Sequence, residues 1–157
     1  MKVEFLNPFL TATQNVIETM ARMPVRAQAL RLKNSKTTYG IVTGIIGMAS
    51  ETLVGSMIIS FSEPCILKIV ANMTMEPEKD KIDADVVDAV GELTNMVCGG
   101  AKTLLAKLNM KFDLALPTTV VGKDIEIGYR INTPIIVIPF MTENGEFVVE
   151  ANLEYRK

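Results

Sequence analysis

An α+β domain, with a largely antiparallel sheet and long helices packed on it, is the fold class this chain predicts, on three observations. Helical periodicity opens the chain and returns twice in its middle. Runs rich in β-branched residues follow each helical block. Turn signals separate neighbouring strand-like runs closely enough for antiparallel pairing. With 157 residues, 48% of them hydrophobic, no Trp and 6% aromatic residues, the chain is expected to form one domain over 1–157 with a sizeable core.

In "NPFLTATQNVIETMARM", Phe9, Leu10, Thr13, Val16, Ile17 and Met20 recur at helical spacing. Asn7 reads as the N-cap and Pro8 as the first helical residue, so the helix is expected from about Pro8 to Ala21. Three strand-like runs follow, "VRAQALRLK", "TTYGIVTGIIGMAS" and "TLVGSMIISFS". In the first, Val25, Ala27, Ala29 and Leu32 oppose Arg26, Gln28 and Arg31, and the three read as consecutive antiparallel strands. Ser62 can cap a helix from Glu63 to about Asn72, with Pro64 tolerated in the first turn because its missing N–H would be unpaired there. The charged "MEPEKDKIDAD" reads as a solvated loop. Asp83 or Asp85 then starts a helix running to about Asn109. "FDLALPTTVVG", "IEIGYRINTPIIVIPFMT" and "FVVEANLEYR" are strand-like again, with "TENG" as a hairpin turn between the last two. Each half thus carries helix followed by strands, a rhythm too weak in residue identity to be a repeat by sequence alone.

Charge and cysteine usage exclude several functions. Sixteen basic and eighteen acidic residues give a net charge of −2 without long single-sign blocks, so no footprint for nucleic acid or an anionic membrane is present. Two cysteines, Cys65 and Cys98, and no His leave no His-containing zinc site, His-based triad or CxxC pair. Both thiols are expected reduced and buried. The N-terminus lacks the pattern of a signal peptide, and "TPIIVIPF" is too short to span a bilayer, so a cytoplasmic location is expected.

The stretch "DAVGELTNMVCGG", Asp88 to Gly100, is unusual for a helix. At about 100° per residue, Val86, Val90, Leu93, Val97, Ala101, Leu104 and Leu108 form one apolar seam. Asp88, Glu92, Asn95 and Gly99 form a stripe almost opposite it. A solvated outer face would account for such a stripe. Against that stands composition: each interior glycine costs about 0.8–1.0 kcal/mol relative to alanine, and Gly91, Gly99 and Gly100 all interrupt this helix. Asn95 is also a mediocre helix former. Small residues beside an extended carboxylate and an amide would let a partner approach closely. An amide can hold a water in line for attack, and a carboxylate can pair with a lysine. Neither generates a nucleophile alone, so the pair suits a substrate carrying its own metal and electrophile.

"DAVGELTNMVCGGAK" resembles the motif of Asp or Ser, three residues, Glu, two residues, Asn that marks the CheC, CheX and FliY family of chemotaxis response-regulator phosphatases. "NPFLTAT", "GMAS" and "PIIVIPFMTENGEF" extend the resemblance along the chain, closest to the CheX branch. The resemblance implies a CheC-like fold and hydrolysis of the aspartyl phosphate of a CheY-like response regulator. Carried over by position, Glu92 pairs with the regulator's active-site lysine, Asn95 orients the hydrolytic water and Asp88 supports the same face. Mg2+ is expected on the partner, with no metal or cofactor of the chain's own. Pro117 is the counterpart of the family's downstream proline, at a spacing from Asn95 that differs by a residue. The alternative is a binding module of the same fold that docks a regulator or flagellar switch component without hydrolysis.

CheC-like members resemble two-site proteins and CheX-like members one-site proteins. "EFLN", Glu4 to Asn7, repeats the Glu, two residues, Asn spacing, but with Asn7 as a cap Glu4 lies before the helix, so one site per chain is expected. A helix beginning by about Val3 would reverse that geometry. The resemblance also implies a homodimer in which strands of two subunits meet. Met96 borders the Glu92 and Asn95 face as a candidate docking contact, with Gly99 beside it, whereas Cys98 reads as packing.

Overall fold

A computed structural model describes residues 3–129 and 133–156. Its elements are α1 (Val3–Ala21), β1 (Arg26–Ala27), β2 (Arg31–Leu32), β3 (Val42–Ala49), β4 (Leu53–Phe61), α2 (Glu63–Thr74), α3 (Ala84–Ala106), β5 (Asp113–Leu114), β6 (Thr118–Val121), β7 (Ile136–Thr142) and β8 (Gly145–Tyr155). The strands form one antiparallel sheet in the order β1-β7-β8-β4-β3-β5, with β2 also on β7 and β6 also on β3. The helices cover one face, giving the α+β class read from the sequence.

The core lies between helices and sheet. Phe61, Phe147 and Phe140 stand side by side across β4, β8 and β7, with Phe147 stacked at 5.3 Å on Phe61 and 4.9 Å on Phe140. Phe9 and Ile17 of α1, Ile66 and Ile69 of α2, and Val90, Leu93 and Val97 of α3 are fully buried in the same cluster. Each such side chain contributes about 1.5–3 kcal/mol relative to exposure.

The order of strands resolves the rhythm noted in the sequence. Exchanging α1, β1–β2, β3 and β4 with α3, β5–β6, β7 and β8 leaves the order of the sheet unchanged, as a pseudo-two-fold axis between β4 and β8 requires. The two outer strand pairs are therefore exchanged between halves: β1 and β2 lie on β7, and β5 and β6 lie on β3.

Several local expectations are corrected. α1 starts at Val3 and carries Pro8 inside it, so Asn7 is a helical residue and not the cap. Pro8 is tolerated because it sits in the second turn and is buried, where it forfeits only the bond to the carbonyl of Glu4. The run at 25–33 forms two two-residue strands, and it pairs with distant β7 instead of β3. Ala29 is exposed in the link between β1 and β2, and Leu32 is 61% exposed on an edge strand with only part of one face covered. Ser62 occupies the cap position of α2 without a capping bond. Its hydroxyl donates instead to the Glu146 carbonyl at 2.9 Å, tying the helix start to β8. α2 runs two residues further than expected, to Thr74. The strand-like runs at 112–122 and 125–142 are shorter than read, giving β5, β6 and β7; Arg130, Ile131 and Asn132 of the second run lie outside the described residues.

Candidate active site

α3 starts where the sequence placed it. Asp83 is the N-cap, its carboxylate accepting from the Val86 amide at 3.0 Å, and Lys79 donates to the same carboxylate at 2.7 Å. That lysine holds the Asp83 carboxyl below its ordinary range, with the Val86 N–H acting in the same direction.

The seam is confirmed over four turns, with Val86, Val90, Leu93, Val97 and Ala101 fully buried. It fails at its end. α3 stops at Ala106, not Asn109, so Leu108 is 44% exposed and Leu105 is buried, while Leu104 is only half-buried. Leu108 lies beyond the last helical residue, Ala106, where helical spacing no longer sets its direction.

Two close approaches orient the helix. Thr94 is fully buried and back-bonded to the Val90 carbonyl at 2.6 Å. Its hydroxyl occupies the space of the missing side chain of Gly44 on β3, since a Cβ there would lie 1.8 Å from Thr94 Oγ1. Gly100 meets α1, where a Cβ would lie 3.1 Å from that of Ala12. Gly100 thus has a packing explanation as well as a functional one, whereas a Cβ on Gly91 would make an ordinary contact, 3.5 Å from Thr119 Oγ1.

With the seam against the sheet and Gly100 against α1, the ridge points outward. Asp88, Glu92 and Asn95 are exposed and Gly99 is partly exposed, and nothing lies within 4 Å of where a Cβ on Gly99 would stand. Glu92 and Asn95 are three residues apart on one helix, which sets their Cβ atoms about 5–6 Å apart. Met96 is half-buried on the flank that turns toward α1, so it borders the ridge without belonging to it. Cys98 is fully buried and free, and burial pushes its thiol up to about 12; it is a packing residue. Pro117 is half-buried on the connection between β5 and β6. Among the described residues no three His, Cys, Asp or Glu side chains gather as metal ligands would.

The start of α1 at Val3 changes the standing of "EFLN". Glu4 and Asn7 lie on one helix, three residues apart, and both are exposed. The pseudo-two-fold relates the helices by an offset of 88, because 100 − 12, 92 − 4 and 95 − 7 all equal 88. Buried Phe9, Thr13 and Ile17 then match buried Val97, Ala101 and Leu105. Because α1 begins at Val3 and not at Pro8, Glu4 does not lie before the helix.

The chemotaxis phosphatase CheX family matches residues 42–141. The CheY-P phosphatase CheX of Thermotoga maritima is 33% identical over 124 residues, which cover 77% of this chain and 76% of that protein. Among solved structures, a CheC-like superfamily protein from Shewanella sp. PV-4 superposes with a TM-score of 0.91 at 41% identity, over 98% of this chain and 99% of the other. The chemotaxis protein CheX of Vibrio vulnificus superposes with a TM-score of 0.90 at 40% identity, over 97% and 100%. With 100 of its 157 residues inside the family match and one relative 33% identical along three quarters of both chains, the chain belongs to the CheX family of chemotaxis phosphatases.

Proposed function

We propose that this chain hydrolyses the aspartyl phosphate of a CheY-type response regulator and so terminates a chemotaxis or related two-component signal. The observation that carries the reading is the exposed Glu92 and Asn95 pair on a ridge kept open at Gly99, in a chain of the CheX family. A ridge offers no enclosed cleft for a small molecule, but it can enter the phosphorylation pocket of another protein. There the Asn95 amide accepts from and donates to a water and holds it in line with phosphorus. The Glu92 carboxylate pairs with the regulator's lysine and fixes the register of docking. Asp88, one turn earlier, extends the same acidic edge, while Met96 and Gly99 contribute contact surface. Mg2+ and the acyl phosphate belong to the regulator, so no residue of this chain is assigned to metal.

The chain acts as one domain, forms a homodimer through its sheet and works in the cytoplasm. The single sheet and continuous core support the first of these. Among the described residues no helix is long and apolar enough to cross a membrane.

The test is the phosphate lifetime of a CheY-type regulator with and without this protein. Wild type shortens it catalytically. Asn95→Ala lowers the maximal rate by about 100-fold or more, as expected for loss of a group that positions the reacting water. Glu92→Ala raises the half-saturating regulator concentration by about tenfold, the loss of one charge-assisted contact. Binding without hydrolysis by the wild type would leave a docking module. Full activity of Asn95→Ala would remove Asn95 from the chemistry while keeping the phosphatase.

A further inference from the structure

The connection between β5 and β6 lies beside the ridge. At about 100° per residue, Gly91, Asn95 and Lys102 fall within about 40° of one another on a single flank of α3. Both ends of that flank touch the strands that frame the connection: Gly91 faces Thr119 of β6, 3.5 Å from where its Cβ would stand, and Lys102 Nζ lies 3.8 Å from Asp113 Oδ1 of β5. Asn95 sits between these two contacts, and Leu116 is midway between Asp113 and Thr119.

The pairing of this segment is irregular at that point. Thr118 opposes Ile45 and Leu114 opposes Met48, so three steps along β3 are matched by four along the connection. One extra residue is accommodated as a bulge, a feature that interrupts pairing and re-aims a side chain. Leu116, within it, is 90% exposed, more than any other large hydrophobic residue described. Its neighbour Pro117 stiffens the segment, which lowers the entropy cost of presenting an apolar side chain to a partner.

We propose that Leu116 is a docking residue for the phosphorylated regulator, resting on the phosphatase reading of the Glu92 and Asn95 ridge. A standard footprint of about 800 Å² per partner is a disc of about 16 Å radius, so a receiver domain seated on Asn95 extends over the connection. The surface that meets Leu116 is an apolar patch bordering the regulator's phosphorylation pocket. Leu116 supplies affinity and partner choice, and takes no part in positioning water.

The test uses the full chain with Leu116→Ser and Leu116→Met. Two measurements are made: the rate of regulator dephosphorylation against regulator concentration, and binding of beryllofluoride-activated regulator, with protein mass followed by light scattering. Leu116→Ser raises the half-saturating concentration and the dissociation constant about tenfold, the effect of losing one buried leucine contact, and leaves the maximal rate unchanged. Leu116→Met restores both. Unchanged binding by Leu116→Ser overturns the proposal. So does a fall in mass to the monomer with regulator binding intact, which would assign Leu116 to a contact between copies of this chain. If wild type binds the activated regulator but hydrolyses nothing, the phosphatase reading fails alone, and the binding arm still decides the role of Leu116.

Discussion

At the scale of single residues, glycines separate packing from function on α3. Gly99 has nothing within 4 Å of its missing Cβ, so Gly99→Ala is expected to stabilise the fold by about 0.8–1.0 kcal/mol through helix propensity. Gly99→Leu keeps the fold as well but obstructs the ridge, raising the half-saturating regulator concentration; denaturant midpoints and turnover curves for the two variants check both halves. Gly44→Ala should behave in the opposite way. Its Cβ would stand 1.8 Å from Thr94 Oγ1, and either α3 or β3 must shift, at about 1–3 kcal/mol for overpacking. Because Thr94 precedes Asn95, activity falls together with stability. The sequence identified the unusual glycines on this helix. It could not say that Gly100 accommodates Ala12 while Gly99 faces open space, because that depends on which element lies against each.

At the scale of elements, α1 and α3 are counterparts that differ in what they present. α1 has Glu4 and Asn7, but its equivalent of Gly99 is Thr11 and its equivalent of Met96 is Pro8 by the same offset of 88. It therefore lacks the open ridge beside the amide. Asn95→Ala is expected to lower the maximal rate by about 100-fold or more, and adding Asn7→Ala should change nothing further; a residual rate in Asn95→Ala that falls again in the double variant would place a second active pair on α1. Periodicity located α3 and its N-cap because apolar spacing and a capping aspartate are local properties. It misplaced the start of α1 because Pro8 is a strong local stop signal, and only burial against the rest of the fold makes its lost hydrogen bond tolerable. The run at 25–33 differs from expectation for a related reason: its partner is β7, more than a hundred residues later, which local alternation does not encode.

At the scale of the molecule, the buried thiols predict sensitivity to alkali. Burial pushes Cys65 up to about 11 and Cys98 up to about 12, each from an ordinary 9.0, and it also raises Tyr129. Groups whose folded-state pKa is raised stay protonated in the fold while the unfolded chain ionises. Their stabilisation is complete below about pH 9 and is lost as pH rises through 11 to 12. Denaturant midpoints measured from pH 8 to 11 should fall across that interval, and Cys98→Ala should flatten the decline. Thiol reagents at pH 8 should label neither cysteine until the protein unfolds. On the other face of the sheet, Lys33 bonds Glu150 with both side chains almost wholly buried. This pair joins the segment after β2 to the centre of β8.

By itself the sequence determined the class of the fold, the long helix with its seam, the ridge of Asp88, Glu92, Asn95 and Gly99, and the resemblance that gives the ridge a substrate. These are properties of residues close in the chain, whose spacing along a helix or strand settles which face they share. Tertiary structure alone decided the exchange of outer strands between halves, the helical setting of Glu4 and Asn7, and the position of Leu116 beside the ridge. Each of those depends on contacts between residues far apart in the chain, where local periodicity carries no information about which partner is present.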